Sequence, residues 1–310
     1  MSVFVQQQHS ICDFAGSDSW VILSEIEQSI KRKIEAVGTP LKDWDIQINY
    51  GIKTGYNDAF IISTEKRNEI LANCATDEER QRTAELIRPI LRGRDIKRYG
   101  YEWANLWLIA TFPSRNYDID EYPSVRDYLL TFGIEKLEQT GRTHIVKGET
   151  IKARKKTNNK WFETQDSISY WDDFLHPKIV WAELARTGNA FTTDFESKTV
   201  GNTGYILTVK SDSKEDLYYL LGFLNSRVLL YCLNQITSRF DENGWRWLRQ
   251  FVEQLRIPKF INKDVIVSIV SETNRYNQPE NSEIINAYVA KTFGLSEEEL
   301  SHINRSLDGY

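Results

Sequence analysis

Apolar and polar positions divide this chain into recognisable elements. Ile26, Ile30 and Ile34 recur at four-residue spacing and predict a helix over residues 20–37, opening on the run Trp20-Val21-Ile22-Leu23. Ser24 with Glu27 is a capping-box pattern near its start, and Gly38 with Pro40 ends it. Ile46, Ile48 and Tyr50 alternate with polar residues as in a half-buried strand, and residues 59–62 form a short apolar run. Between them lies Gly51-Ile52-Lys53-Thr54-Gly55-Tyr56-Asn57-Asp58, so the local reading is strand, presented loop, strand. Further along, the pattern predicts a helix over 77–87, a buried strand over 106–110 and a helix over 123–137 with Pro123 in its first turn. Residues 142–160 carry few apolar side chains and read as a long exposed loop or pair of loops. Strands are expected at 178–184, 190–193 and 203–209. Leu217, Leu220, Leu221, Leu224 and Val228 then give a helix over 213–234 its core face. A strand over 251–258 ends at Pro258, and the remainder is helical, with Ser296 and Glu299 as a second capping box.

Composition adds limits to this outline. A chain of 310 residues, 41% hydrophobic and 12% aromatic, can bury the core of one large or two modest domains. It has no run of eighteen apolar residues, and Met-Ser-Val-Phe-Val-Gln-Gln-Gln lacks the form of a leader, so a cytoplasmic protein without a membrane span is expected. Cys12, Cys74 and Cys232 lie far apart, as do His9, His144, His176 and His302, which speaks against a zinc site or a disulfide framework.

The net charge of −5 hides strong local imbalance. Arg142, Lys147, Lys152, Arg154, Lys155, Lys156 and Lys160 stand against the single acid Glu149. A second basic stretch holds Arg80, Arg82, Arg88, Arg92, Arg94, Lys97 and Arg98 against Glu85 and Asp95. The C-terminal stretch runs the other way, with Glu280, Glu283, Glu297, Glu298, Glu299 and Asp308 against Lys291 and Arg305. One face for a polyanion and one that avoids it would explain the separation.

The candidate chemistry is that of binding. Glycines at 51 and 55 permit backbone conformations that would let Lys53, Thr54 and Asn57 face one anion, although a plain turn with a solvated lysine has the same pattern. Lys155 and Lys156 suit phosphates, and Arg142, Arg154, Asn158 and Asn159 have the donors and acceptors that discriminate bases; a solvated charged loop is the bland alternative. Trp245 and Trp247 flank Arg246 as aromatics that could stack on bases, but two residues apart on a strand they read as core or interface aromatics. No Gly-x-Gly, no Gly-Lys-Ser/Thr and no Pro-Pro pair occurs, so the dinucleotide, S-adenosylmethionine, P-loop and Asn-Pro-Pro-aromatic signatures are missing. Asp173 with Glu196-Ser197-Lys198 matches the sparse pattern of a Mg²⁺-dependent nuclease, and also that of a solvated turn.

Five stretches in order resemble one family. They are residues 51–60, Ile90-Leu91-Arg92-Gly93-Arg94-Asp95-Ile96-Lys97-Arg98-Tyr99, Pro177-Lys178-Ile179-Val180-Trp181, Leu221-Gly222-Phe223-Leu224-Asn225-Ser226-Arg227, and Ile257-Pro258. Together they resemble the TaqI-like C-terminal specificity domain, the DNA target recognition region of type IIG restriction–modification enzymes and related adenine-specific DNA methyltransferases. The resemblance spans roughly residues 20–310. It implies a mixed α+β fold with a mixed or antiparallel sheet and a helical C-terminal section, divided as a lead-in over 1–50, a recognition domain over 51–210 and a helical section over 211–310. It further implies double-stranded DNA as partner, with the 53–57 loop and the 92–98 turn in the shared framework and 142–160 where members differ most, as expected for bases read differently. The candidate DNA contacts are then Lys53, Thr54, Asn57, Arg92, Arg94, Lys97, Arg98, Arg142, Lys152, Arg154, Lys155, Lys156, Asn158, Asn159 and Lys160. Methyltransferase and nuclease domains, in the same polypeptide or a partner subunit, would hold S-adenosylmethionine and Mg²⁺, with no cofactor in this chain. The chain then looks like the C-terminal part of a larger enzyme or a separate specificity subunit. Two other readings stay open: a self-sufficient nuclease using Asp173, Glu196 and Lys198, and a protein-interaction domain.

Overall fold

The computed structural model describes residues 23–185, 188–237, 244–260, 263–276 and 281–308. Residues 20–22 of the first expected helix, His9 and Cys12 lie outside that range. The chain divides into two compact units, one of Ile46–Ala185 with Ala190–Leu217, the other of Met1–Asp45, Arg186–Asn189 and Tyr218–Tyr310.

The first unit is built on two four-stranded sheets. One is wholly antiparallel, in the order Phe191–Asp194, Lys178–Ala182, Gly204–Val209, Ile46–Tyr50. Its central strand Lys178–Ala182 is buried along its whole length, as a continuous apolar run predicts. Trp181 lies there fully buried, stacked on Tyr205 at 5.2 Å and tilted against Phe191 at 5.3 Å. Emptying that position would cost about 3–5 kcal/mol. Lys178, at the strand's start, is fully enclosed; its Nζ donates to Asp194 Oδ2 at 2.6 Å and to the Phe174 carbonyl at 2.7 Å. Burial pulls the Lys178 amine down from its ordinary range while Asp194 opposes the shift. The charged residue of the Pro177–Trp181 motif therefore serves the fold.

The second sheet is mixed, in the order Thr199–Val200, Ile87–Leu91, Leu106–Ile109, Ile61–Ser63, with the first pair parallel and the others antiparallel. Pro89 stands inside the strand Ile87–Leu91 opposite Trp107, and its carbonyl accepts from Thr199 Oγ1 at 2.8 Å. Ile52, Phe60, Ile90, Leu108, Leu129, Phe162, Val180 and Ile206 belong to one buried cluster in this unit. The mixed α+β class with antiparallel and mixed sheets is the one observed.

Several local expectations are corrected. Residues 51–62 do not pass from the loop straight into a strand at 59–62. The strand Ile46–Tyr50 belongs to the antiparallel sheet, Asn57–Phe60 is a short helix, and Ile61–Ser63 belongs to the mixed sheet. The helix over 123–137 is two, Pro123–Leu130 and Ile134–Leu137, separated at Gly133, whose φ of 81° no ordinary helix contains. The helix Thr64–Ala72, with Ser63 as its N-cap, was not foreseen.

In the second unit, the helix Glu25–Val37 carries both arms of the expected Ser24/Glu27 capping box, and the Gly38 N–H closes on the Ile34 carbonyl. Thr39–Pro40 pairs with Arg256–Ile257, the only strand within the span expected as 251–258; Arg249–Val252 is a helical turn. The long helix expected over 213–234 breaks at Asn225-Ser226, where Ser226 Oγ accepts from the Leu229 N–H at 3.2 Å and caps Arg227–Ile236. Helices Lys263–Tyr276, Ser282–Thr292 and Glu297–Asp308 follow. Glu299 is almost fully buried and accepts from Lys33 Nζ at 2.6 Å and Ser29 Oγ at 2.8 Å. These contacts hold its carboxyl far below the usual range, at about 2, against the opposing effect of burial. The Ser296/Glu299 box also forms, at 2.7 and 3.2 Å. Cys74 and Cys232 are free thiols. Among the described residues no helix is long and apolar enough to cross a membrane.

Candidate functional site

The sequence-predicted contact residues all fall in the first unit, in three segments. The first is the loop after Ile46–Tyr50. Its two glycines have different reasons. A Cβ on Gly51 would stand 1.9 Å from the Gly201 carbonyl oxygen, because Gly51 and Ile52 bond across to residues 200–204. Gly55 adopts φ +78°, and a Cβ there would press on Gln165 and Arg154. Thr54 is buried: its hydroxyl donates to Asn57 Oδ1 at 2.7 Å and accepts from the Tyr56 N–H at 3.1 Å. Thr54 thus shapes the turn and leaves the set of presented groups. Lys53 and Asn57 remain exposed.

The second segment, Arg92 to Arg98, is largely occupied with itself. Arg92 grips the buried Asp95 with Nε and Nη2 at 2.7–3.2 Å, and Asp95 also accepts from the Arg92 N–H. This pairing raises the Arg92 pKa above its ordinary value. Lys97 Nζ donates to the Arg94 carbonyl at 3.0 Å and lies 3.9 Å from Glu102. The Arg98 guanidinium sits 5.4 Å from the Tyr99 ring centre. Arg94 and Lys97 are exposed, and Arg98 is half-buried.

The third segment, residues 142–160, differs most from expectation. Instead of open loops it begins with a two-stranded antiparallel ribbon, Thr143–Val146 paired with Glu149–Lys152. Lys147 and Gly148 form its two-residue turn, both at positive φ, 50° and 84°. The signal available in the sequence was Lys147-Gly148 between two short runs of β-branched residues. His144 Nε2 lies 2.5 Å from Glu138 Oε1 and anchors one face of the ribbon.

After the ribbon, Arg154 turns inward. Although expected to read bases, it is 4% exposed, and each of its contacts is a backbone carbonyl: Leu137 at 2.6 Å, Thr54 at 2.9 Å, Glu163 at 2.8 Å and Trp161 at 2.5 Å. Its planar fork also lies 5.0 Å from the Phe60 ring centre. Burial pushes its pKa down to about 10 while Glu163 opposes the shift. Arg154 is therefore a clamp joining the first segment to the third. Gln139, also buried, reinforces it by donating to the Lys160 and Glu163 carbonyls at 3.2 and 3.0 Å and accepting from Thr157 Oγ1 at 2.8 Å. Asn159, half-buried, directs its amide to the Thr164 and Gln165 carbonyls at 3.2 and 2.8 Å and so braces the loop. Lys160 is exposed, its Nζ 3.5 Å from the Tyr117 carbonyl.

Arg142, Lys152, Lys155, Lys156 and Asn158 are exposed, as is Lys147. Among the described residues no ion pair holds Lys53, Lys147, Lys152, Lys155 or Lys156, and Arg142 acts on Glu138 only through its field. Uncompensated cations on a braced support form an electropositive patch suited to a polyanion.

Of the candidate nuclease residues Glu196 and Lys198 pair with each other, and among the described residues no bond joins either to Asp173. Asn49 Nδ2 donates to Asp173 Oδ2 at 2.5 Å, and burial raises the Asp173 pKa. Lys198 is bonded to Glu196 and, at 3.0 Å, to the Tyr101 hydroxyl. Among the described residues no group of three or more His, Cys, Asp or Glu is arranged to hold a metal ion.

The family model for the TaqI-like C-terminal specificity domain matches residues 88–257. The chain belongs to this family. The match takes in the Arg92–Arg98 turn, the ribbon, the clamp and the buried Lys178 pair, while the loop carrying Lys53 precedes it. Among curated proteins the specificity domain is similar to the type II methyltransferase M.BstVI of Geobacillus stearothermophilus, 23% identical over 95% of this chain and 48% of the relative. It is also similar to the type II methyltransferase M.PaeR7I of Pseudomonas aeruginosa, 23% identical over 92% of this chain and 45% of the relative. The chain thus spans about half the length of these relatives. Its fold is similar to parts of the type IIG restriction endonuclease BpuSI (TM-score 0.54, 15% identity, 90% of this chain and 31% of that one) and of the type IIL restriction–modification enzyme MmeI solved with DNA (TM-score 0.54, 12% identity, 86% and 35%).

Proposed function

We propose that this chain is the DNA target recognition module of a type IIG-like restriction–modification enzyme, gripping duplex DNA and choosing a short sequence for catalytic domains that lie outside it. The observation that carries this reading is the uncompensated patch of Arg142, Lys147, Lys152, Lys155 and Lys156, held by buried braces on a domain of the specificity family. Lys155 and Lys156 neutralise phosphates from the braced loop, with Lys53, Arg94, Lys97 and Lys160 as further backbone contacts. Arg142, Asn158 and the ribbon supply groups that reach base edges. Asn57 steadies the first loop through Thr54 and keeps its amide nitrogen for a phosphate. Adenine methylation and cleavage belong to partner domains, which would hold S-adenosylmethionine and Mg²⁺.

A salt titration of duplex binding tests this. The logarithm of the binding constant falls linearly with the logarithm of salt concentration, by about 0.9 for each phosphate neutralised. A binding constant that does not change with salt would remove the phosphate contacts, and failure to bind duplex even at low salt would remove the module reading and favour a protein-interaction domain.

A further inference from the structure

The register of the ribbon sorts its side chains. Thr143 stands opposite Lys152 and Ile145 opposite Thr150, so these four share one face; His144 with Ile151 and Val146 with Glu149 share the other. Exposure follows the same division. Thr143, Ile145, Thr150 and Lys152 are all exposed, whereas His144, Val146 and Ile151 are half-buried, with Glu149 exposed beside the turn. The inner face is tied to the domain through His144 and Glu138. The outer face touches nothing that would account for an isoleucine at its centre. Ile145 is 81% exposed, more than any other large hydrophobic side chain among the described residues. Single exposed apolar residues are ordinary on protein surfaces, but this one shares its face with Lys152, and exposed cations stand before the ribbon at Arg142, in its turn at Lys147 and after it at Lys155 and Lys156, against the single acid Glu149.

Resting on the module reading above, we infer that the outer face of the ribbon enters the major groove and that Ile145 is a specificity-determining residue that packs on the 5-methyl group of a thymine. Three physical points converge. The major groove, about 12 Å wide, admits a two-stranded antiparallel ribbon. The largest apolar group on any base edge there is the thymine methyl, where cytosine has only a C5–H, so an isoleucine delivered to the groove favours that group. The exposed cations before, within and after the ribbon suit the phosphates that border a groove and would draw the ribbon into it. Thr143 and Thr150 flank Ile145 with hydroxyls that can donate or accept and methyls that extend its apolar surface. The type I′ turn at Lys147-Gly148 and the half-buried inner face hold the strands together before DNA arrives, so presenting Ile145 costs little ordering.

The test begins with the 310-residue chain selecting duplexes from a random-sequence pool. Thymines in the selected word are then replaced one at a time by deoxyuridine, which differs only in lacking the methyl, and binding is measured for the wild type and for Ile145→Ala. Ile145 is so exposed that the substitution leaves the fold intact. The expected result is one position at which deoxyuridine weakens wild-type binding about fourfold, the worth of roughly one buried methyl, while Ile145→Ala, about fourfold weaker on the thymine duplex, is indifferent to the change. If no position shows the penalty, or if Ile145→Ala keeps it, the ribbon inference is overturned while the module reading stands. A wild type that selects no word overturns the module reading and the inference with it.

Discussion

The two basic stretches of the first unit look alike in sequence and differ in what they leave free. In residues 80–98 four of the seven cations are answered at home: Arg80 by Asp77 at 3.7 Å, Arg82 by the Glu121 carbonyl at 3.2 Å, Arg92 by Asp95, and Lys97 by Glu102 and the Arg94 carbonyl. In residues 142–160 Arg154 is buried and occupied and Lys160 reaches the Tyr117 carbonyl, whereas Lys147, Lys152, Lys155 and Lys156 stand outward with no ion pair among the described residues. Net charge along a sequence therefore says little about electrostatic availability. What decides it is whether the fold brings acceptors to the cations, and that depends on contacts such as Arg82 with Glu121, 39 residues apart.

The largest effect that would break this contrast comes from its buried member. Arg154→Met should destabilise the protein by about 3 kcal/mol in chemical denaturation, because it leaves four carbonyls without their donor. Arg154→Lys should recover only part of the loss, since an ammonium cannot reproduce the planar fork. Next, Arg92→Ala should cost about 1–2 kcal/mol, by stranding the buried Asp95, yet leave DNA affinity nearly unchanged. The double substitution of Lys155 and Lys156 by Ala should do the reverse, sparing the denaturation midpoint while lowering the salt slope of DNA binding by about 1.8. Equal effects of Arg92→Ala and the lysine pair on binding would erase the contrast between the stretches. Smallest is a pH effect on the ribbon. Hydrogen bonds from Thr140 and His144 hold the Glu138 carboxyl below its ordinary range, with burial opposing. A depressed carboxyl contributes its stabilisation above the unfolded value and loses it as pH falls through the folded one. Amide exchange in 143–152, corrected for intrinsic rates, should therefore rise below the ordinary carboxylate range; in Glu138→Gln that pH-dependent rise should be absent.

Much of the fold could be read from the chain because its signals are local. The Ser24 and Ser296 boxes, the alternation at 46–50 and the apolar run of Lys178–Ala182 each state their structure within a few residues. The helix break at Ser226 and the ribbon turn at Lys147-Gly148 were also written locally, but leucine periodicity on either side of the first and charge density around the second masked them. The site was less legible. Arg154 has the same composition signal as its neighbours, and only the arrival of carbonyls from Thr54, Leu137, Trp161 and Glu163 turns it from contact to clamp. Thr54 changes role for the same reason, a side-chain bond to Asn57 that closes its own turn.

The Arg154 clamp has one more property, which concerns inheritance rather than stability. Each hydrogen-bond acceptor it engages belongs to the main chain, and every residue type offers the same carbonyl. The identities of the residues it holds are therefore nearly silent to it. Such an anchor lets the ribbon and the loop behind it be rewritten residue by residue, like type set in a locked frame, so that new wording can be tried without a new scaffold.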